Sequence, residues 1–201
     1  MQGIYAITPD DIQEDAILLK TKILLKSGVK ILQFRNKHLK NKDAFNLAKS
    51  LKDLCKAYQV PFIVNDDLKL AQEIQSDGIH LGQNDVGCSK ARRILGKKYI
   101  IGISCNDSLS LAIEAQNNGA NYIAIGSIFK TDTKVNVSSS SLKRLNQIAM
   151  KIDLPIAAIG GINKKNIGKI KDSSASMAAI CSSLYKNTDL TKSAKFFIKN
   201  F

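Results

Sequence analysis

PFIVNDDLKLAQEIQSDGIHLG, residues 61–82, holds the unit from which the fold is read. An apolar, β-branched run at 61–66 ends in Asn65 and Asp66, helical apolar spacing fills 68–75, and a second apolar run at 78–82 ends in glycine. Short continuous apolar runs of this kind are strands buried on both faces, as in a parallel sheet with helices packed outside it. Comparable runs lie at 3–8, 29–35, 99–104, 121–127, 154–161 and 176–182, each followed by a polar or amphipathic stretch. With the two in the quoted stretch they make eight strand–helix units, which predicts an α/β fold of the (β/α)8 TIM barrel type. An open doubly wound sheet is the alternative, because repetition alone does not prove closure; the count of eight favours the barrel. In a barrel the strand carboxyl ends carry the chemistry.

Between the runs, residues 10–26 carry Ile12, Ala16, Ile17, Leu19, Ile23 and Leu24 at helical spacing behind an acidic first turn that suits the helix dipole. Further helices are expected at 44–58, 68–75, 88–95, 108–117 with Asp107 as its cap, 163–171 and 190–199. Ser138 to Ser141 is expected to be a flexible loop entering a sixth helix. At 201 residues the chain is near the lower limit of about 200 for this architecture, so residues 1–201 are expected to form one barrel domain with short loops.

The formal net charge of +13 raises nucleic-acid binding as a function class. The lysines, however, are scattered over nearly every helix, arginines are few, and no segment interleaves basic with aromatic residues. The charge is read as solvated helix faces and a field that attracts small anions, with no nucleic-acid partner expected. No apolar stretch approaches the roughly 18 residues of a membrane span, and the amino terminus enters a strand without a basic-then-apolar signal. A cytoplasmic protein with no membrane partner is expected. Cys55, Cys88, Cys105 and Cys181 are isolated and accompanied only by His38 and His80, so they are read as structural thiols. The apolar faces of the outer helices suit burial against the barrel or against a second subunit, so a homo-oligomer stays open.

The strand endings hold the candidate chemistry. Run two ends Gln33, Phe34, Arg35, Asn36, Lys37, and alternation sends Gln33, Arg35 and Lys37 to one face. Two cations there suit an anion, although surface charge after a strand would look the same; Gln33, inside an apolar run, needs a polar partner. Asp66 after run three and Asp85 after run four could together hold a magnesium ion, which takes one or two protein carboxylates and completes its shell with water and phosphate oxygens. Either acid alone equally suits a turn or a helix cap. His80, within an apolar run, is read as a core or supporting residue and not as a ligand. Residues 126–134 supply Thr131, Thr133, Lys130 and Lys134 as hydroxyl and cationic donors for a phosphate. Gly160 and Gly161 end run seven and Cys181 and Ser182 end run eight, where barrels of this type commonly bind phosphate.

In order along the chain, YAIT, QxRxK, ND, DGIHLGQxD, IGISC, YIAIGSIF with its TxTK loop, and IGGI resemble the thiamine-phosphate synthase family over nearly the whole length. The resemblance implies a (β/α)8 barrel that joins aminopyrimidine (hydroxymethyl) diphosphate to hydroxyethylthiazole phosphate, releasing pyrophosphate. It implies that Arg35, Lys37, Asn65 and Lys134 bind the pyrophosphate, that Asp66 and Asp85 hold its Mg2+, and that Gln33 and Ser104 contact the pyrimidine or its leaving group. Thr131, Thr133, Gly161, Cys181 and Ser182 match positions around the thiazole phosphate. The chain departs from the family pattern at Lys130, Asp132 and Val135, where prolines are common, and at 172–176 and 138–141, each lacking a usual glycine. A thiazole tautomerase-like protein of the same superfamily is the nearest rival; it depends on a histidine near the end of strand five, where this chain has Asn106. A non-catalytic basic binding protein is the more distant one.

Overall fold

The computed structural model describes residues 1–11, 13–129 and 140–201. Eight parallel strands, β1 (Gly3–Ile7), β2 (Ile31–Phe34), β3 (Phe62–Asn65), β4 (Gly78–Leu81), β5 (Ile100–Asn106), β6 (Tyr122–Ile125), β7 (Ile156–Ile159) and β8 (Met177–Ile180), form a closed barrel in sequence order. Closure runs through β1 and β8, with Gly3 opposite Met177 and Ala6 opposite Ile180. The helices are α1 (Glu14–Lys26), α2 (Asn41–Ala57), α3 (Leu68–Glu73), α4 (Cys88–Leu95), α5 (Leu109–Asn117), α6 (Ser140–Ala149), α7 (Ile167–Lys171), α8 (Ser182–Tyr185) and α9 (Leu190–Asn200). The fold is therefore the expected (β/α)8 barrel and not an open sheet.

Strand alternation divides the core in two. Leu32, Phe34, Phe62, Val64, Ile79, Leu81, Ile101 and Ile103 belong to a large outer core with Leu24, Leu47, Leu51 and Phe197 from the helices. Tyr5, Ile7, Ile31, Ile63, Tyr122, Ala124, Ala157, Met177 and Ala179 form a second cluster inside the barrel. Both faces of the strands are thus buried, the inner one mostly by apolar side chains, which is why the strands read as nearly continuous runs. Cys55, Cys88 and Cys105 are buried and unpaired, and burial pushes the Cys55 and Cys105 thiols up to about 12, as structural thiols require. Among the described residues no helix is long and apolar enough to cross a membrane.

Three helix expectations need correction. Helix α1 begins at Glu14, because Asp10 and Asp11 are held in ion pairs with Arg35 and Lys186 and stay outside it. Asp107 is not the cap of α5: Ser108 is, accepting from the Leu111 N–H at 3.3 Å. Helix α7 starts at Ile167, since the Asn163 side chain accepts from the Lys165 N–H at 2.9 Å and the Asn166 side chain from the Asn163 N–H at 2.8 Å, replacing the first turn. The four-residue α8 was not expected; it is too short to carry a periodic signal. Of the expected serine loop, Ser140 and Ser141 begin α6, while 138 and 139 lie outside the described residues.

Gly102 on β5 lies opposite Tyr122 on β6, and a Cβ added there would fall 2.0 Å from the tyrosine Cζ. The missing side chain is the space the buried phenol occupies. Gly102→Ala is expected to lower stability by about 1–3 kcal/mol through overpacking, read as a lower denaturant midpoint with an unchanged slope.

Candidate active site at the carboxyl rim of the barrel

At the end of β2 the alternation places Phe34 in the outer core and Gln33 inside the barrel, where its Nε2 donates to the Tyr5 hydroxyl at 2.7 Å. Arg35 follows on the rim. Its backbone N–H donates to Thr8 Oγ1 at 2.9 Å, the Thr8 hydroxyl donates back to the Arg35 carbonyl at 3.1 Å, and its guanidinium is ion-paired with Asp10. Lys37 is exposed two residues further on. A cavity of about 370 Å3 opens beside Arg35, lined by Pro9, Asp10, Phe34, Asn36 and Leu39 among others.

Strands β3 and β4 bring the two acids together. Register sets Asn65 opposite His80, and Asp66, with φ of 63°, donates its N–H to the His80 carbonyl at 2.8 Å. The Asp85 carboxylate accepts from the Gly82 N–H at 2.7 Å, which folds the β4–α4 loop back toward Asp66. Partial loss of water, then a hydrogen bond with Asp85 and its charge, push the Asp66 carboxyl up to about 6, against the pull of Asn65 and Arg35. Two oxygen donors that repel each other in this way suit a cation between them, and magnesium typically takes one or two carboxylates. Among the described residues no cluster of three or more His, Cys, Asp or Glu side chains offers another metal site.

Ser104, near the end of β5, lies 2.8 Å from His80 Nε2, and its carbonyl accepts from Gln83 Nε2 at 2.6 Å. His80 is fully buried, which pulls its pKa down to about 4 and leaves it neutral at pH 7. Its Nδ1 lies 3.0 Å from the Tyr122 hydroxyl. It is therefore buried in the barrel interior, as its place in an apolar run suggested. Asn65 sits at the end of β3 beside Asp66.

On the far side of the rim, Gly160 and Gly161 follow β7 with φ of 101° and 65°, and a Cβ on Gly160 would lie 2.6 Å from that of Ser127. The glycines let the β6 and β7 ends approach closely. Cys181 follows β8 and Ser182 opens α8, which is tied to α1 through the Thr21 and Tyr185 hydroxyls, 2.8 Å apart, and through Lys20, which donates to the Tyr185 carbonyl at 2.8 Å. Burial pushes the Cys181 thiol up, while Arg35 draws it down. The Arg35 charge thus draws down the pKa of both Asp66 and Cys181. Thr131, Thr133 and Lys134 lie outside the described residues.

Sequence reasoning missed Asp10, because an acid just before a helix reads as a dipole partner. It also missed Tyr5 and Tyr122 as partners of the interior polar side chains; the signal was there in Gln33 and His80, each a polar group inside an apolar run.

The family model described as thiamine monophosphate synthase matches residues 4–184. A thiamine-phosphate synthase from Methylococcus capsulatus is 39% identical over 194 residues, 96% of this chain and 87% of that relative. One from Methylobacillus flagellatus is 37% identical over 201 residues, 100% of this chain and 96% of that relative. Among solved structures, a thiamine phosphate pyrophosphorylase from Pyrococcus furiosus superimposes with a TM-score of 0.87 at 29% identity, covering 99% of this chain and 95% of that one.

The raised Asp66 pKa has a consequence for folding. An unfolded aspartate titrates near 3.9, so between about pH 4 and 6 the folded chain holds a proton that the unfolded chain has lost. Metal-free stability is therefore expected to lose a contribution as pH rises through that window, and Asp85→Asn to shrink the loss. Paired denaturant titrations of the two proteins across pH 4 to 7 measure it; identical pH profiles would refute the coupling.

Proposed function

We propose that this chain, which belongs to the thiamine monophosphate synthase family, is a transferase that joins aminopyrimidine (hydroxymethyl) diphosphate to hydroxyethylthiazole phosphate, forming thiamine phosphate and releasing pyrophosphate. The observation that carries this reading is the assembly of Arg35, Asp66 and Asp85 at the ends of β2 to β4, on the same rim as Gly161, Cys181 and Ser182 after β7 and β8, with Arg35 and Cys181 on either side of β1.

In this reading Arg35, Lys37, Asn65 and Lys134 hold the diphosphate, and Asp66 and Asp85 hold Mg2+. Bound magnesium supplies charge neutralisation for the departing pyrophosphate. Arg35 exchanges its ion pair with Asp10 for the phosphate oxygens, and the charge it loses at the carboxylate is regained at the leaving group. Gln33 and Ser104 face the pyrimidine. Gly161, Cys181 and Ser182, with Thr131 and Thr133, hold the thiazole phosphate so that the ring nitrogen stands in line with the carbon it attacks. Bond cleavage precedes attack, so the chain's contribution is electrostatic stabilisation and alignment, and no side chain serves as nucleophile. The raised pKa of Cys181 supports that, since its sulfur stays protonated at neutral pH. The tautomerase reading fits less well: Asn106 ends β5 and its carbonyl accepts from the Gly126 N–H at 3.0 Å. Four unpaired thiols suit a reducing, cytoplasmic setting.

Purified protein given both substrates and magnesium is expected to release pyrophosphate and form thiamine phosphate; no release from folded protein would sink the reading. Asp85→Ala is expected to weaken magnesium-dependent pyrophosphate binding at least about tenfold while the unfolding transition stays cooperative, because even the outer partners of metal ligands carry 10–100-fold effects. Calorimetric titration with and without magnesium measures it.

A further inference from the structure

Five side chains from five strands form one hydrogen-bonded line through the barrel interior. Gln33 Nε2 donates to the Tyr5 hydroxyl at 2.7 Å, the Tyr5 and Tyr122 hydroxyls are 2.7 Å apart, Tyr122 lies 3.0 Å from His80 Nδ1, and His80 Nε2 lies 2.8 Å from Ser104 Oγ. Tyr5, Gln33, His80 and Tyr122 are all buried, so water does not intervene to reset the pattern. Each phenol has one hydrogen, and a buried phenol that accepted from both neighbours would leave it without an acceptor, so a phenol that accepts from one neighbour donates to the next. The Gln33 amide nitrogen only donates. Tyr5 therefore donates to Tyr122, and Tyr122 donates to His80 Nδ1. A neutral imidazole that accepts at Nδ1 carries its hydrogen on Nε2, and this it donates to Ser104. Two ends are left over: the amide oxygen of Gln33, which accepts, and the hydroxyl hydrogen of Ser104, which donates.

We propose that Tyr5, Tyr122 and His80 are positioning residues that carry one hydrogen-bond direction across the barrel, making Gln33 an acceptor and Ser104 a donor toward the heterocycle bound at its mouth. The proposal rests on the reading that those two residues face the aminopyrimidine. An exocyclic amine then donates to Gln33 Oε1, while Ser104 donates to a ring nitrogen or to the departing oxygen. An oxo group in place of the amine sets acceptor against acceptor at Gln33, and a buried polar group left unpaired is what gives a site strong discrimination. The line thereby selects an amino- over an oxo-pyrimidine through three residues that need not touch the substrate.

The chain has only two histidines, and His38 is exposed, so 15N-histidine labelling isolates the His80 imidazole by NMR without any substrate. The expected wild-type state is the Nε2–H tautomer. In Tyr122→Phe the Nδ1 loses its donor, Ser104 can accept or donate equally well, and the Nε2–H fraction falls. An Nδ1–H tautomer in the wild type, or an unchanged tautomer in Tyr122→Phe, overturns the proposal. In turnover, Tyr122→Phe and Tyr5→Phe are expected to reduce the preference for the amino over the oxo pyrimidine diphosphate about tenfold, the worth of one hydrogen bond, with KM for the thiazole phosphate unchanged. An unchanged preference overturns the selection. The wild-type tautomer needs no variant to fold, and it stands apart from turnover: wild-type protein inactive with both substrates and magnesium would remove the proposed function while leaving the hydrogen-bond direction measured.

Discussion

Everything at the rim depends on the pairing of β1 with β8. Four residue pairs, from Gly3 with Met177 to Ala6 with Ile180, close the sheet, so no strand presents an open row of backbone donors and acceptors. Closure of eight parallel strands also brings all eight carboxyl ends to one opening. Arg35 at the end of β2 and Cys181 after β8 thus flank the β1–α1 loop, although 145 positions separate them in sequence. Short loops suffice because topology has already gathered the residues.

Closure imposes a second condition on the interior. A small barrel is filled by side chains, and every polar atom placed there needs a partner. Ala124, Ala157 and Ala179 leave room on β6 to β8, and the two tyrosines from β1 and β6 use it, their rings meeting edge to face at 5.9 Å. Their hydroxyls satisfy Gln33 and His80, and each other. The same contacts that keep the interior stable therefore hold Gln33 and Ser104 in place, so support for the fold and support for the site cannot be separated at these positions.

The strands were legible because both of their faces are buried, which leaves unbroken apolar runs, and alternation alone turned Gln33 inward and Phe34 outward. The pairing of Asp66 with Asp85 could also be anticipated, because adjacent strands end where those residues begin. Features set by contacts across the rim could not. Asp10 looks like the start of α1 until Arg35 is seen beside it, and α8 spans a single turn with no period to detect. The cap of α5 was misplaced by one residue, since Asp107 and Ser108 are both good capping types and only the backbone path decides between them. The threonines and lysine of the β6–α6 segment lie outside the described residues, so their part in the site rests on the family pattern alone.

The paired acids of the β1–α1 loop change what the net charge of +13 means for a ligand. Asp10 engages Arg35 and Asp11 engages Lys186, so a cation on each side of the loop is already partly neutralised. An anion that binds at Arg35, as the proposed function requires, would enter by displacement, in competition with a tethered carboxylate whose effective concentration is high. A single negative charge gains little from such an exchange, whereas a group carrying two or three outbids the carboxylate. Under the proposed function, the loop would thus set a threshold on ligand valence that favours phosphates over singly charged anions.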